Sequence, residues 1–321
     1  MKTFCTICSG NYLSYGLALY ESLLKFDKNV SLNILISDNQ EYLSNYTHPF
    51  PNLKFYFTED LCDTGYGKQL YEKYFSNDIN CFRWSMKSVF IKYLLQKQNF
   101  DKVIFTDSDI FFFHDYNFLF NELESNDVLI TPHWRTSNPN IDAANFITLY
   151  TSGLYNGGFF AANKNAIAAL DWWSMSCVFT CEKNRLNGQF GDQSHLNLLP
   201  IYFDNVKIIK HRGCNVANWN LVECKRTKTN DTILINNEYP IVFIHFTNST
   251  IRGIESGEDK NLEEFLDIYK STLLKHGRKI LNEPTQPKLI KEVPKPIKQG
   301  FFKKMKQKLR IRTRIKKFLH G

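Results

Sequence analysis

The sequence predicts an α/β protein in which helices cover a central sheet. The chain opens with a strand, a helix and two further strands, at 3–8, 13–24, 32–36 and 53–57. A short apolar run at 103–105, rich in β-branched and aromatic residues, is typical of a buried strand in a covered sheet. Together these observations indicate a nucleotide-binding α/β sheet.

Composition allows one large domain or two small ones in 321 residues, and a hydrophobic share of 43% is enough for a substantial core. No apolar run reaches the roughly 18 residues that a membrane span needs. Polar residues interrupt the opening MKTFCTICSGNY, so we expect a first strand and turn rather than a signal peptide. We therefore expect a cytoplasmic protein with free thiols.

Positive charge is concentrated at the end of the chain. Of 40 Lys and Arg and 32 Asp and Glu, residues 287–321 hold thirteen basic residues and one acid, which leaves 27 basic and 31 acidic residues before them. We expect one domain at 1–281, a Pro/Lys-rich linker at 282–299 and a basic amphipathic tail at 300–321. The tail can lie as a helix on an anionic membrane, on its inner face; the alternative is a disordered tail that is solubilising or binds nucleic acid non-specifically. A mildly acidic body argues against a specific nucleic-acid groove.

Asp107 and Asp109 follow the apolar run directly. On an extended chain, residues two apart face the same way, so both carboxylates can point into the crevice at the carboxyl end of the sheet. Such a pair suits Mg²⁺ or Mn²⁺, which usually also holds substrate phosphates. A solvated turn is one alternative. A phosphatase-like aspartate nucleophile is another, but Phe111 stands where that pattern needs Thr or Val.

The helix predicted at 82–96 carries Arg83 and Lys87 on one face, since they are four residues apart. If that face lines the crevice at the carboxyl end of the sheet, the two cations can neutralise a diphosphate. The alternative is that the face is solvated. Further along, Asn156 precedes the pair Gly157 and Gly158, which lets the backbone approach a ligand closely.

Asp192 and Gln193 open a predicted helix after a glycine-containing loop, where Asp192 could simply be an N-cap. A last strand at 241–244 leads to His245, which on its own could be a structural histidine. The segment around Trp219 combines amides with an indole, which suits sugar binding, although Trp219 could equally belong to the core. A four-thiolate zinc site is a less favoured hypothesis; it would use Cys5, Cys8, Cys177 and Cys181.

The phrases Asp-x-Asp, Asn-Gly-Gly, Asp-Gln and His-Phe occur in this order over about residues 1–255. In this the chain resembles the GT-A glycosyltransferases, which transfer sugars from nucleotide diphosphates, and family 8-like members in particular. The resemblance implies a GT-A fold with a mixed central sheet and a metal held by Asp107, Asp109 and His245. It places Asp192 and Gln193 beside the reacting sugar, as catalytic residues. The donor contacts that it implies are Thr6, Asn11, Tyr12, Asp38, Arg83, Lys87, Asp107, Ser108, Asn156, Gly157 and Gly158.

The implied function is transfer of a sugar from a UDP-sugar or similar donor to a hydroxyl of a glycan, lipid-linked or protein acceptor. The implied cofactor is Mn²⁺ or Mg²⁺, and cell-surface glycan synthesis is the expected role. The resemblance favours retention of configuration, although the family's Lys-Pro-Trp after the His-Phe phrase is missing and Arg252 is the nearest substitute. Two rival functions stay open: a nucleotidyltransferase acting on a sugar phosphate, and a non-enzymatic membrane-binding scaffold.

Overall fold

The computed structural model describes residues 2–43, 46, 50–230 and 232–278. The helices are α1 Leu13–Leu24, α2 Gly65–Tyr74, α3 Ile79–Gln96, α4 Asn117–Ser125, α5 Ala143–Ser152, α6 Ile167–Phe179, α7 Leu199–Tyr202, α8 Asn248–Glu255 and α9 Glu263–Lys275. The strands are β1 Thr3–Cys8, β2 Ser31–Ile36, β3 Leu53–Phe57, β4 Lys102–Thr106, β5 Ile110–Phe112, β6 Val128–Pro132, β7 Tyr155–Asn163, β8 Val206–Ile208, β9 Arg226–Thr229, β10 Thr232–Ile235, β11 Tyr239–Pro240 and β12 Phe243–His245. The predicted linker at 282–299 and tail at 300–321 lie outside the described residues.

The central sheet has seven strands in the order β3-β2-β1-β4-β7-β6-β8. Strands β1 to β4 run parallel to one another, whereas β7 is antiparallel to both β4 and β6. The predicted α/β class and mixed sheet are therefore confirmed. Two smaller pieces of sheet accompany it: β5 pairs with β12, and β9, β10 and β11 form a hairpin sheet.

Alternating residues of β1 enter two separate apolar layers. Phe4 packs on the side covered by α1 and α4, whereas Cys5 packs on the side covered by α3 and α6. Burying a large apolar side chain contributes about 1.5–3 kcal/mol. Because helices cover both faces, the polar side chains that follow the strands can be accommodated only at the edge where the strands end.

A third apolar cluster holds the β5–β12 pair. Phe246 and Tyr269 stack with their ring centroids 4.2 Å apart, and Tyr269 also meets Phe111 edge-on at 5.6 Å. These contacts fix β12 against α9, so the side chain at the end of β12, His245, has a defined position.

The eight cysteines are free thiols. Cys5 packs with Cys177 and Cys181 on one side of the sheet, but Cys8 packs on the other side. The zinc hypothesis is wrong because residues three apart on a strand face in opposite directions. In the part of the chain that the structure describes, no helix is long and apolar enough to cross a membrane.

Candidate active site

A turn directly after β4 carries the two aspartates. Ile110 N donates to Asp107 O at 3.1 Å, which reverses the chain into β5. The prediction that an extended strand aligns the pair was wrong, because the chain here leaves the main sheet to pair with β12. The turn is fixed from both sides: Asp107 N donates to Gly158 O and Phe246 N donates to Asp109 O, each at 2.8 Å.

His245 ends β12 and faces the turn. Its Nε2 lies 3.0 Å from Asp109 Oδ1 and 3.9 Å from Asp107 Oδ2, and one ligand atom of each of the three residues lies within 4.8 Å of the others. Two carboxylates and one imidazole form a donor set that suits Mn²⁺ or Mg²⁺, with the imidazole favouring Mn²⁺. Both aspartate side chains are 31% exposed, so an ion from solvent can reach them.

The electrostatics of this group favour a positive charge between the aspartates. Burial lowers the pKa of His245, but Asp109 and Asp107 more than offset this, and the pKa is raised above its ordinary value. Burial likewise raises the pKa of Asp109, and His245 more than reverses it, so that pKa is lowered. A proton on His245 would supply such a charge, and a divalent cation bound by the same atoms would supply more.

Lys87 connects this group to a third carboxylate. Its buried Nζ donates to Gly157 O at 2.7 Å and lies 3.1 Å from Asp107 Oδ1 and 3.3 Å from Asp192 Oδ2. The contact with Asp192 lacks hydrogen-bond geometry, and Asp192 Oδ2 receives no hydrogen bond from the residues that the structure describes. Burial lowers the pKa of Lys87, but Asp107 and Asp192 together have the larger effect. The pKa is therefore raised above its ordinary value, and Lys87 stays charged. The positive charge of Lys87 thus compensates the charges of Asp107 and Asp192, and Lys87 does not lie on a solvated face of the helix.

Asp192 and Gln193 lie against the glycine pair. The Asp192 side chain makes no capping hydrogen bond to the 3₁₀ helix that follows, so the N-cap interpretation is wrong. Burial, opposed by Lys87, raises the pKa of Asp192 to about 6. Gln193 Oε1 accepts from Gly157 N at 3.0 Å, and its Nε2 donates to Ser152 O at 2.5 Å.

The two glycines allow this close packing. A Cβ at Gly157 would lie 3.0 Å from Asp192 Oδ2, and a Cβ at Gly158 would lie 2.5 Å from His245 Cε1. Since real Cβ atoms do not approach so closely, any larger residue at Gly158 would displace His245 or its neighbours.

A second group of predicted donor contacts meets at the ends of β1 and β2. Arg83 Nε lies 3.2 Å from Asp38 Oδ1, and Asp38 O accepts from the Gly10 N in the first turn at 2.9 Å. In the same turn Asn11 is exposed, and Tyr12 stacks on Tyr15 at 5.3 Å. This places the polar ends of β1, β2 and α3 side by side.

Two other predicted donor contacts lie elsewhere. Thr6 is fully buried within β1, and its hydroxyl has no partner among the described residues. Ser108 lies between the two aspartates, partly exposed in the turn. Their roles stay predictions.

Sequence reasoning missed His133 and left Trp219 open. His133 Nε2 lies 3.2 Å from Asn156 Nδ2, and the Trp219 ring meets the rings of His133 and His245 edge-on at 5.6 and 5.5 Å. Burial, aided by Arg135, lowers the pKa of His133 to about 3, so it is neutral. His133 directly follows β6. The reasoning that singled out Asp107, as a polar residue at the end of a buried strand, would therefore have pointed to His133 as well.

No family model matches the chain. It is 25% identical over 267 residues to the uncharacterized protein YfnF of Bacillus subtilis (strain 168), covering 82% of this chain and 86% of that protein. It is also 25% identical over 255 residues to YfnD of the same strain, covering 77% and 78%.

Among solved structures, the chain is similar to the galactosyltransferase LgtC in complex with donor and acceptor sugar analogues. The TM-score is 0.50 at 13% identity, covering 88% of this chain and 98% of that one. At this identity the likeness concerns the fold, and it confirms that the chain has the GT-A fold of glycosyltransferases.

Proposed function

We propose that the chain is a metal-dependent glycosyltransferase that moves a sugar from a nucleotide diphosphate to a hydroxyl group. One observation carries this proposal: at the end of a GT-A sheet, the set of Asp107, Asp109 and His245 is joined through Lys87 to Asp192. A metal-ligand set beside a buried carboxylate suits transfer from a nucleotide-sugar, because a metal would offset charge on the diphosphate and the carboxylate can position the sugar. A UDP-sugar is the donor we propose.

Asp107, Asp109 and His245 would hold Mn²⁺ or Mg²⁺, which when bound supplies Lewis-acid stabilisation of the charge on a leaving diphosphate. Lys87 contacts Asp107 Oδ1, whereas Oδ2 is the oxygen nearer to His245. This arrangement fixes the orientation of the carboxylate before any ligand arrives, and such preorganisation is a main source of catalysis.

Arg83 and Asp38 are the groups we assign to the nucleoside end of the donor. Because Asp38 already pairs with Arg83, the guanidinium is held in place with part of its surface exposed. It can then offer its remaining N–H groups to donor phosphate or ribose oxygens.

Asp192 and Gln193 are the groups we assign to the sugar end. Lys87 supports the ionised form of Asp192, and Gly157 leaves room beside it. We propose retention of configuration, in which Asp192 positions the sugar instead of acting as a base. Asp192→Asn should then lower kcat by about 100-fold, because positioning groups act on this scale.

The acceptor we propose is a glycan, a lipid-linked sugar or a protein, in cell-surface glycan synthesis. The indole ring of Trp219 provides a flat apolar surface beside His245 against which a sugar of such an acceptor can stack. We further propose that the basic segment at 300–321 holds the enzyme on an anionic membrane from the cytoplasmic side.

The test is a screen of nucleotide-sugars with Mn²⁺, reading release of the nucleoside diphosphate. We expect at least one donor, a UDP-sugar first, to be hydrolysed slowly without an acceptor. A parallel reaction contains nucleoside triphosphates and sugar phosphates. Pyrophosphate release there, without diphosphate release in the first screen, would instead indicate a nucleotidyltransferase and overturn the proposal.

A further inference from the structure

A partly buried arginine near the candidate site lacks an anionic partner among the described residues. Arg135 follows β6 by three residues, and its Nε is buried without a hydrogen-bond acceptor in this part of the chain. Within the ranges that the structure describes, no carboxylate lies at ion-pair distance from Arg135, whereas the buried Arg226 pairs with Asp259 at 3.0 Å. Because Arg135 is only partly exposed, its guanidinium loses hydration without gaining an ion pair, and a ligand that supplies the opposite charge would offset that cost.

A second arginine lies near the first. Arg185 has its guanidinium 4.7 Å from the centroid of the Phe190 ring, and it forms no ion pair within the described ranges. Arg185 begins a 3₁₀ turn that packs against α5, the helix whose Asn145 binds the segment of Arg135. Burial, and then the positive charge of Arg185, lower the pKa of Arg135 to about 10. Lys183 adds a third positive charge, 3.9 Å from the Trp84 ring.

Helix α5 joins the segments that carry the two arginines to the candidate site. Asn145 Oδ1 accepts from Thr136 N at 3.1 Å, and Asn145 Nδ2 donates to Trp219 O at 2.9 Å. At its other end, Ser152 O accepts from Gln193, and Gly188 approaches Tyr150 O. The segments that carry the two arginines therefore lie on the side of the candidate site that α5, Trp219 and Gln193 form. The metal-ligand set has its own neighbouring cation in Lys87.

We propose that Arg135 and Arg185 bind an oxyanion, a phosphate or a carboxylate, that the acceptor carries. The acceptor class is then a negatively charged glycan or glycolipid. This inference rests on the proposed function, since only a transferase has an acceptor. Guanidinium groups match phosphate and carboxylate oxygens with paired N–H donors, and the Phe190 ring pre-orients Arg185.

The first experiment reads anion binding without activity, donor or metal. The ¹H–¹⁵N resonance of Arg135 Nε, identified by its loss in Arg135→Gln, is followed during titration with methyl phosphate, glucuronate or neutral glucose. We expect saturable shifts with one or both anions and none with glucose. Arg185→Gln should weaken binding about 10-fold or more, as loss of a charge-assisted hydrogen bond does. Lys97→Gln, at an exposed lysine after α3, should bind as the wild type does.

The same titration in Asp109→Asn separates this site from the metal-ligand set, and binding should persist. No saturable shift, or equal binding by Arg185→Gln, would overturn the inference; so would loss of binding in Asp109→Asn. Because Arg185 is exposed, its variant should fold even if Arg135→Gln does not.

The second experiment tests the acceptor. With a donor from the hydrolysis screen, transfer to phosphorylated or uronic-acid acceptors should exceed transfer to neutral ones about 10-fold, and Arg185→Gln should remove that preference without changing donor hydrolysis. Donor hydrolysis with no anion preference would reject this inference alone. Anion binding with no donor hydrolysis would instead reject the proposed function, and with it the assignment of the anion to an acceptor.

Discussion

Lys87 Nζ lies 3.3 Å from Asp192 Oδ2 in the protein interior, where each side chain is about 5% exposed or less. Lys87 also lies 3.1 Å from Asp107 Oδ1. Through this one cation, helix α3 joins the carboxylate after β4 to the carboxylate of the 191–198 segment. The charges of Asp107 and Asp192 are therefore coupled, because both carboxylates depend on the same cation.

Removing that cation should destabilise the fold. Lys87→Met leaves Asp107 and Asp192 without compensation, and breaking a buried ion pair from one side costs about 3–5 kcal/mol. Denaturant unfolding should show this loss, while Lys97→Met should be near neutral. Adding Asp192→Asn to Lys87→Met should restore about 1–3 kcal/mol relative to additivity. If the two substitutions had additive effects on the free energy of unfolding, the proposed coupling between Lys87 and Asp192 would be contradicted.

The close approach of Gly158 to His245 predicts a local effect on activity. In Gly158→Ala the new Cβ would lie 2.5 Å from His245 Cε1, so the ring must move. A misplacement of about 1 Å can cost about 100-fold in turnover. Gly253→Ala in α8 is the matched control, because its Cβ would meet nothing closer than 3.5 Å. Equal activity of the two variants would show that the position of His245 is unimportant.

The acid sensitivity of the fold should depend on His133. Burial lowers its pKa from 6.5 to about 3, so between these values the unfolded chain takes up a proton that the native protein does not. The stabilising contribution is complete above pH 6.5 and is lost as the pH falls. Relative to His133→Gln, the wild type should lose about 1.4 kcal/mol for each pH unit in this window. Parallel stability curves for the two proteins would exclude a buried neutral His133.

Membrane attachment through the basic tail is tested by truncation. A chain ending at Glu283 should stay soluble and keep donor hydrolysis, and it should no longer sediment with vesicles containing anionic lipid. The full chain should bind them, less strongly as salt is raised, because each basic residue contributes about 1 kcal/mol through a screened attraction. Equal vesicle binding by both chains would reject the anchor.

The positions of Asp107, Asp109 and His245 at the ends of buried strands could be predicted from the sequence. Asp107, Asp109 and His245 each follow or end an apolar strand, and the structure brings them together. A pattern of apolar residues records which strands are buried, and polar residues beside them must reach solvent or a partner. The α/β class followed from the same pattern.

Side chains whose partners come from distant segments were less predictable. Arg83 and Lys87 share a helical face in sequence, yet one pairs with Asp38 and the other with Asp107 and Asp192. Helical spacing fixes the face of a residue but not what tertiary packing places against it. The role that we propose for Arg135 was likewise not predictable, because it depends on the absence of a carboxylate at ion-pair distance among the described residues.

The central claim is that Asp107, Asp109 and His245 hold a metal used in sugar transfer. The most direct measurement is Mn²⁺-dependent nucleoside diphosphate release from a panel of nucleotide-sugars by the wild type and by Asp109→Asn. Because Asp109 is partly exposed, the variant should keep its melting temperature while losing activity by on the order of 100-fold or more. Wild-type activity should disappear with EDTA and return with Mn²⁺. Near-normal, EDTA-insensitive release by Asp109→Asn would contradict the account.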